Sequence, residues 1–230
     1  MVYSTGLTPL YRQHGLGWCS SGCLILLVVL GLVACSVPAD RVSSTPEAGT
    51  SQPADAEVVA APLPISGLAT VFADELTQWD VFDYDGERAG ELKLRFPPVA
   101  GQGGDFTQWT FRFDQINGSI RPKIRGRSDL WEVRVGDDVS TVRTLFPGQY
   151  DQWNILTGTT RYVYTVRDYA LLEYWSVRGP GGPGRFEVYT RIEGDPRDWE
   201  VYDELTAPIG PAAQLAMIWL PVYMRLVAGS

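Results

Sequence analysis

Trp131-Glu132-Val133-Arg134-Val135 alternates apolar with charged side chains, breaks at Gly136-Asp137-Asp138, and is answered by Val139-Ser140-Thr141-Val142-Arg143-Thr144-Leu145-Phe146 before Pro147-Gly148. A period of two with one apolar face marks a half-buried strand. A Gly-Asp break between two such runs marks a tight hairpin. The same unit recurs on either side. Trp109, Trp131, Trp153 and Trp175 are spaced by 22 residues and Trp199 follows after 24. The loop Gly179-Pro-Gly-Gly-Pro-Gly184 accounts for the extra two. An apolar residue stands two positions after each Trp, at Phe111, Val133, Ile155, Val177 and Val201, and Trp79 with Val81 repeats the pair upstream.

Two turn signals per repeat give about 11 residues for each strand plus its turn, the spacing of an antiparallel meander. The spacing predicts an all-β domain of about 10–12 strands, closed as a barrel or folded as a sandwich, with the Trp residues of alternate strands on one face about 10 Å apart. A parallel β-helix with coils of about 22 residues is the alternative. The paired turn signals favour hairpins, Asn117-Gly118 above all.

Around this core, Ser66 to Leu76 reads as a short helix or a first strand. Trp79 to Tyr84 is a strand, with Asp85-Gly86 as its turn and Leu92, Leu94 and Phe96 on the returning strand. Ile120 to Arg125, Val139 to Phe146, and the run holding Phe186, Val188 and Ile192 are further returning strands. Pro211 to Leu220 reads as a short C-terminal helix with Pro at its first turn. Pro221 ends or kinks it, and the helix with a last strand after it covers an open end or edge of the sheet; the alternative is a membrane- or partner-docking segment. Two prolines and Arg225 argue against a membrane span there.

The N-terminus differs from the rest. Leu24 to Ala34 is an apolar run too short to cross a bilayer and of the length of a signal-peptide core. It ends in Leu32-Val33-Ala34-Cys35, which resembles the lipobox of bacterial lipoproteins. That resemblance implies cleavage before Cys35, a diacylglyceryl group on its thiol, and an acylated new amino terminus, giving stable anchoring through several acyl chains. Ser36 follows the Cys where inner-membrane retention in enteric bacteria is associated with Asp, so the resemblance favours the outer membrane. The chain then divides into a signal peptide at 1–34, lipidated Cys35 with a Pro-, Ala-, Ser- and Thr-rich tether at 35–65, and a β-rich domain at 66–230. The tether has almost no aromatic residues with which to bury surface.

This division limits the chemistry. Cys19 and Cys23 leave with the signal, and so does His14, the single His of the chain. The mature protein has no His for a Ser–His or Cys–His mechanism and no free thiol. It lacks the commonest transition-metal ligand, and neither cofactor nor metal is expected. Of the charged residues, all 27 acidic and 18 of the 19 basic lie after Cys35, a mature net charge of −9. That balance argues against nucleic acid as a partner.

Two sets of residues are candidate binding groups. Trp109, Trp131, Trp153, Trp175 and Trp199 form either a core or an aromatic row that stacks sugars or lines an apolar cavity. Arg121, Lys123, Arg125 and Arg127 alternate as if along one strand, either as a solvated face paired with carboxylates such as Glu132 or as a basic stripe for anionic partners. The carboxylates Asp195, Asp198, Glu200, Asp203 and Glu204 have surface and turn roles or, in one cleft, acid–base roles on a glycoside. The functional expectation is a lipoprotein of the cell envelope, held to the membrane through Cys35. It presents a non-catalytic β domain for binding an envelope protein or glycan, or for envelope assembly. The alternatives are a carrier of a lipid or other apolar ligand and a carboxylate-based carbohydrate-active enzyme.

Overall fold

The computed structural model describes residues 61–73, 75–97, 106–168, 171–178 and 184–229. The chain divides into two units, Met1–Gln52 and Pro53–Ser230, and all described residues belong to the second. The signal peptide, Cys35 and most of the tether lie outside them.

Twelve strands form one antiparallel meander closed into a barrel. They are β1 (Ile65–Phe72), β2 (Glu75–Asp83), β3 (Arg88–Leu94), β4 (Trp109–Phe113), β5 (Ile116–Pro122), β6 (Leu130–Val135), β7 (Asp138–Thr144), β8 (Gln152–Thr157), β9 (Thr160–Val166), β10 (Tyr174–Arg178), β11 (Arg185–Thr190) and β12 (Asp198–Asp203). Each pairs with its neighbours in sequence, and β1 closes the ring on β12 through Gly67↔Glu200, Leu68↔Trp199 and Ala69↔Asp198. The ambiguous first segment is therefore a strand, and neither the sandwich nor the parallel β-helix is formed. The repeat is a hairpin of an odd and an even strand, and the Trp stands on the even one. It is the first or second residue of β4, β6, β8, β10 and β12 and the fifth of the longer β2.

Alternation sorts the faces. On β4, Trp109, Phe111 and Phe113 point into the lumen while Arg112 is exposed. The outer wall carries cross-strand ion pairs such as Arg121–Glu132 at 2.8 Å, Arg191–Glu200 at 2.9 Å and the Arg88–Asp80 pair. A charged wall of this kind contrasts with the apolar band of a membrane barrel.

Eight strands make a barrel that side chains alone can fill, and twelve leave space. Here the space is occupied by the chain's own C-terminus. One helix, α1 (Pro211–Gly229), runs through the lumen, and from Ala212 to Leu220 its side chains are fully buried on every side. A helix apolar all round must be surrounded. By length and hydropathy Pro211–Ala228 also matches a membrane span, yet most of it is buried inside the barrel. The expected C-terminal helix is present; it runs on through Pro221, and the last strand expected after it is replaced by further helix. Pro221 lies within the helix, where it removes one backbone donor. The surrounding barrel holds the helix across it.

Close packing of helix on wall explains a second correction. The β4–β5 turn is Asp114-Gln115, and Asn117 and Gly118 sit in β5, paired with Arg112 and Phe111. Asp114 takes the left-handed conformation there (φ 50°), as Gly136 (φ 56°) and Gly158 (φ 51°) do in the turns that follow at 22-residue intervals. Asp tolerates that region better than most residues. Gly118 serves packing instead, because a Cβ on it would stand 2.8 Å from the Arg134 carbonyl and 3.2 Å from Leu215 of α1.

Several strands stop sooner than their apolar pattern suggests. β3 ends at Leu94, before Phe96; β5 at Pro122, before Ile124; β7 at Thr144, before Phe146; and β11 at Thr190, before Ile192. All four residues are in loops and exposed.

Candidate functional site at the loop mouth

The meander gives the barrel two unlike mouths. At one, each even strand turns back into the next odd strand and β12 leads into α1. At the other, each odd strand passes through a loop into a Trp-bearing even strand.

At the first mouth α1 enters the lumen. Asp138, at the start of β7, accepts a hydrogen bond from the Ala212 amide at 2.9 Å and so caps the first turn of α1 from a neighbouring element. Gly210 leaves room for this approach, since a Cβ there would fall 2.5 Å from the Asp138 carboxylate. Gln214 is fully buried, and its amide accepts from the Leu63 N–H at 2.7 Å and donates to the Leu63 carbonyl at 2.8 Å. The segment entering β1 is thereby fastened to the helix. Asp203 lies here as well, its acidity weakened by burial.

At the second mouth the six even-strand Trp residues form a ring. Each indole N–H donates to the carbonyl three residues before it, on Leu76, Phe106, Ser128, Tyr150, Leu172 and Pro196, at 2.8–3.3 Å. A buried Trp usually finds such a partner, and here it is the preceding loop in five cases and, for Trp79, the second residue of its own strand. α1 arrives in this ring, with Trp219 and Tyr223 packed 4.9 and 4.8 Å from Trp131. Arg225 donates to the Leu171 carbonyl at 2.9 Å and ties the end of the helix to the β9–β10 loop. Beside it opens an apolar pocket of about 310 Å³, lined by Tyr150, Leu172, Tyr223, Met224 and Val227 among others. Burial pushes the Tyr223 hydroxyl up to about 12, so the group stays neutral at ordinary pH.

The candidate residues are distributed as follows. Trp109, Trp131, Trp153, Trp175 and Trp199 are at most 1% exposed, so as placed none offers a ring face to solvent. Arg121, Lys123, Arg125 and Arg127 do not share a strand, because β5 ends at Pro122 and Arg127 bonds back to Ile124 in a turn. Arg121 pairs with Glu132, Lys123 reaches Thr141, and Arg127 holds Asp129. Arg121 and Arg125 line a cleft with Thr107 and Gln108.

The carboxylates are strung along β12 and its flanks. Asp195 is held to about pH 2 by Arg197, Asp198 and Glu200 share Arg191, and Glu204 bonds Tyr202. Asp198 and Asp203, at the two ends of the strand, are about 16 Å apart at the rise of a β-strand. Among the described residues no group of three or more His, Cys, Asp or Glu side chains is placed to hold a metal ion. No protein-family model matches this chain, and neither a curated protein nor a solved structure matches it significantly.

Proposed function

We propose that this protein is a cell-envelope lipoprotein, anchored through Cys35, whose barrel is a non-catalytic binding or assembly module. The observation that carries this reading is the occupied lumen. A barrel that carries or transforms a small molecule commonly uses its interior, and here α1 takes that space. The surfaces left for partners are the outer wall and the loop mouth. The apolar pocket beside Tyr223 and Met224 favours a second reading, in which a small apolar ligand is held at that mouth rather than inside the barrel.

The anchor is tested by expressing the full chain in a bacterial host with a radiolabelled fatty acid. Labelled protein that sediments with membranes is expected, and Cys35→Ala should abolish the label. Normal labelling of that variant would end the lipoprotein reading.

A further inference from the structure

The loops at the Trp-ring mouth share a feature that the packing of the barrel does not require. Among the described residues, each of the six connections exposes a large apolar side chain, in the loop or on the last residue of the strand before it: Phe72 (53% exposed, with Val71 beside it), Phe96 (52%), Ile124 (50%), Phe146 (54%), Leu171 (41%) and Ile192 (61%). Four stand seven residues before the Trp of their own hairpin, at 72 and 79, 124 and 131, 146 and 153, 192 and 199. The longer β3–β4 loop places Phe96 thirteen before Trp109, and the β9–β10 loop has Asp168 at the seventh position and exposes Leu171 instead. The hairpins thus repeat an outward apolar tip as well as an inward Trp. Val227, near the end of α1, is exposed at the same mouth (41%), next to the 310 Å³ apolar pocket.

We infer that this crown is a lipid-contacting surface, by which the barrel rests its loop mouth on a bilayer. The inference takes its setting from the envelope-anchored reading and names the partner of that mouth. Three observations select a lipid surface. First, the described apolar tips stand on six separate connections around a ring, single except where Val71 adjoins Phe72. That layout suits shallow insertion into a planar interface, where each tip enters on its own, more than the contiguous apolar patch of a protein interface.

Second, charge is polarised along the barrel. The turns of the opposite mouth, including the segment into α1, carry Asp85, Glu87, Asp114, Asp137 and Glu204 and no basic residue, whereas the crown loops balance seven basic against eight acidic residues. An anionic surface repels the acidic mouth and leaves the near-neutral crown to approach it. Basic side chains border the tips: Arg95 lies 5.3 Å over the Phe96 ring, Lys123 and Arg125 flank Ile124, and Arg191 precedes Ile192.

Third, the chain is long enough. β1 begins at the acidic mouth, where Ile65 pairs with Asp83. The 28 residue-to-residue steps from Cys35 to Leu63 reach up to about 95 Å when extended, several times the length of a barrel strand of about 25 Å. An anchor at Cys35 therefore permits the crown to face the same bilayer.

The test uses Ser36–Ser230, which contains every strand, the helix and the whole core but no lipid anchor, and vesicles of phosphatidylethanolamine and phosphatidylglycerol. The wild-type barrel is expected to cosediment with the vesicles. The quadruple variant Phe72→Ser, Ile124→Ser, Phe146→Ser, Ile192→Ser should partition about tenfold less or weaker still. Tyr84→Ser with Ile116→Ser, exposed apolar residues of the opposite mouth, should leave partitioning unchanged. The replaced side chains are exposed, and an unchanged near-ultraviolet circular dichroism spectrum will show that the fold survives. As a second measurement, a polarity-sensitive fluorophore on Phe146→Cys should shift to the blue with vesicles, and one on Tyr84→Cys should not. A wild-type barrel that stays in the supernatant, or a crown variant that sediments as the wild type does, would overturn the inference. Neither result bears on acylation of Cys35, which the labelling experiment reads separately.

Discussion

Six indoles satisfy their N–H groups in one way, each on a carbonyl three residues back, and this joins two needs in a single residue. The ring fills lumen volume and the N–H fixes the chain just before it, in five of the six the loop that precedes the strand. Trp131 adds edge-on contacts with Trp219 and Tyr223. Trp131→Ala should therefore cost about 3–5 kcal/mol, read as a lower denaturation midpoint in urea, and should loosen the β5–β6 loop because the Ser128 carbonyl loses its donor. The same residues show the limit of reading side chains singly. An exposed Phe146 and a buried Val142 both continue an apolar alternation, and the end of the strand at Thr144 separates a loop tip from the core.

At the scale of elements, α1 is the piece whose role depends most on its surroundings. Isolated, Pro211–Gly229 is an apolar helix with an internal proline. In the barrel, Asp138 caps its first turn and Gln214 clamps it to Leu63, while Arg225 pins its last turns to Leu171. Gln214→Ala removes two hydrogen bonds and leaves the buried N–H of Leu63 unpaired, while its carbonyl keeps the Ile65 amide. A loss of about 2–3 kcal/mol is expected. Faster amide exchange should follow at the start of β1, with the β6–β8 wall little changed. A uniform rise in exchange across the barrel would mean that the clamp supports the whole fold rather than its entrance.

For the whole molecule, closure is the decisive contact. β1 and β12 pair through three residue pairs, where β8 and β9 pair through six. At this seam Gly67 lets the strands approach, since a Cβ would meet the Trp199 carbonyl at 2.7 Å. Gly67→Val should part β1 from β12, cost about 1–3 kcal/mol by overpacking, and raise amide exchange first on those two strands. Unchanged protection there would show that the seam has slack. Closure also gives the molecule its polarity, since only a ring gathers six loop tips at one end and the acidic turns at the other.

By itself the sequence determined the all-β class, the hairpin repeat and the inward Trp row. These follow from period two, turn chemistry and a 22-residue recurrence, all local properties of the chain. The loop tips were visible as a second recurrence, seven residues before Trp, but periodicity assigned them to strands because an apolar residue beyond a strand's end keeps the same alternation. Gly118 looked like a turn for a similar reason: a glycine required by a helix packed against it resembles one required by a bend. Closure, the passage of α1 through the lumen and the meeting of the crown at one mouth were decided by tertiary structure alone. Each depends on contacts between residues far apart in sequence, such as Gly67 with Trp199 and Leu63 with Gln214, and on a lumen volume that exists only once twelve strands have closed.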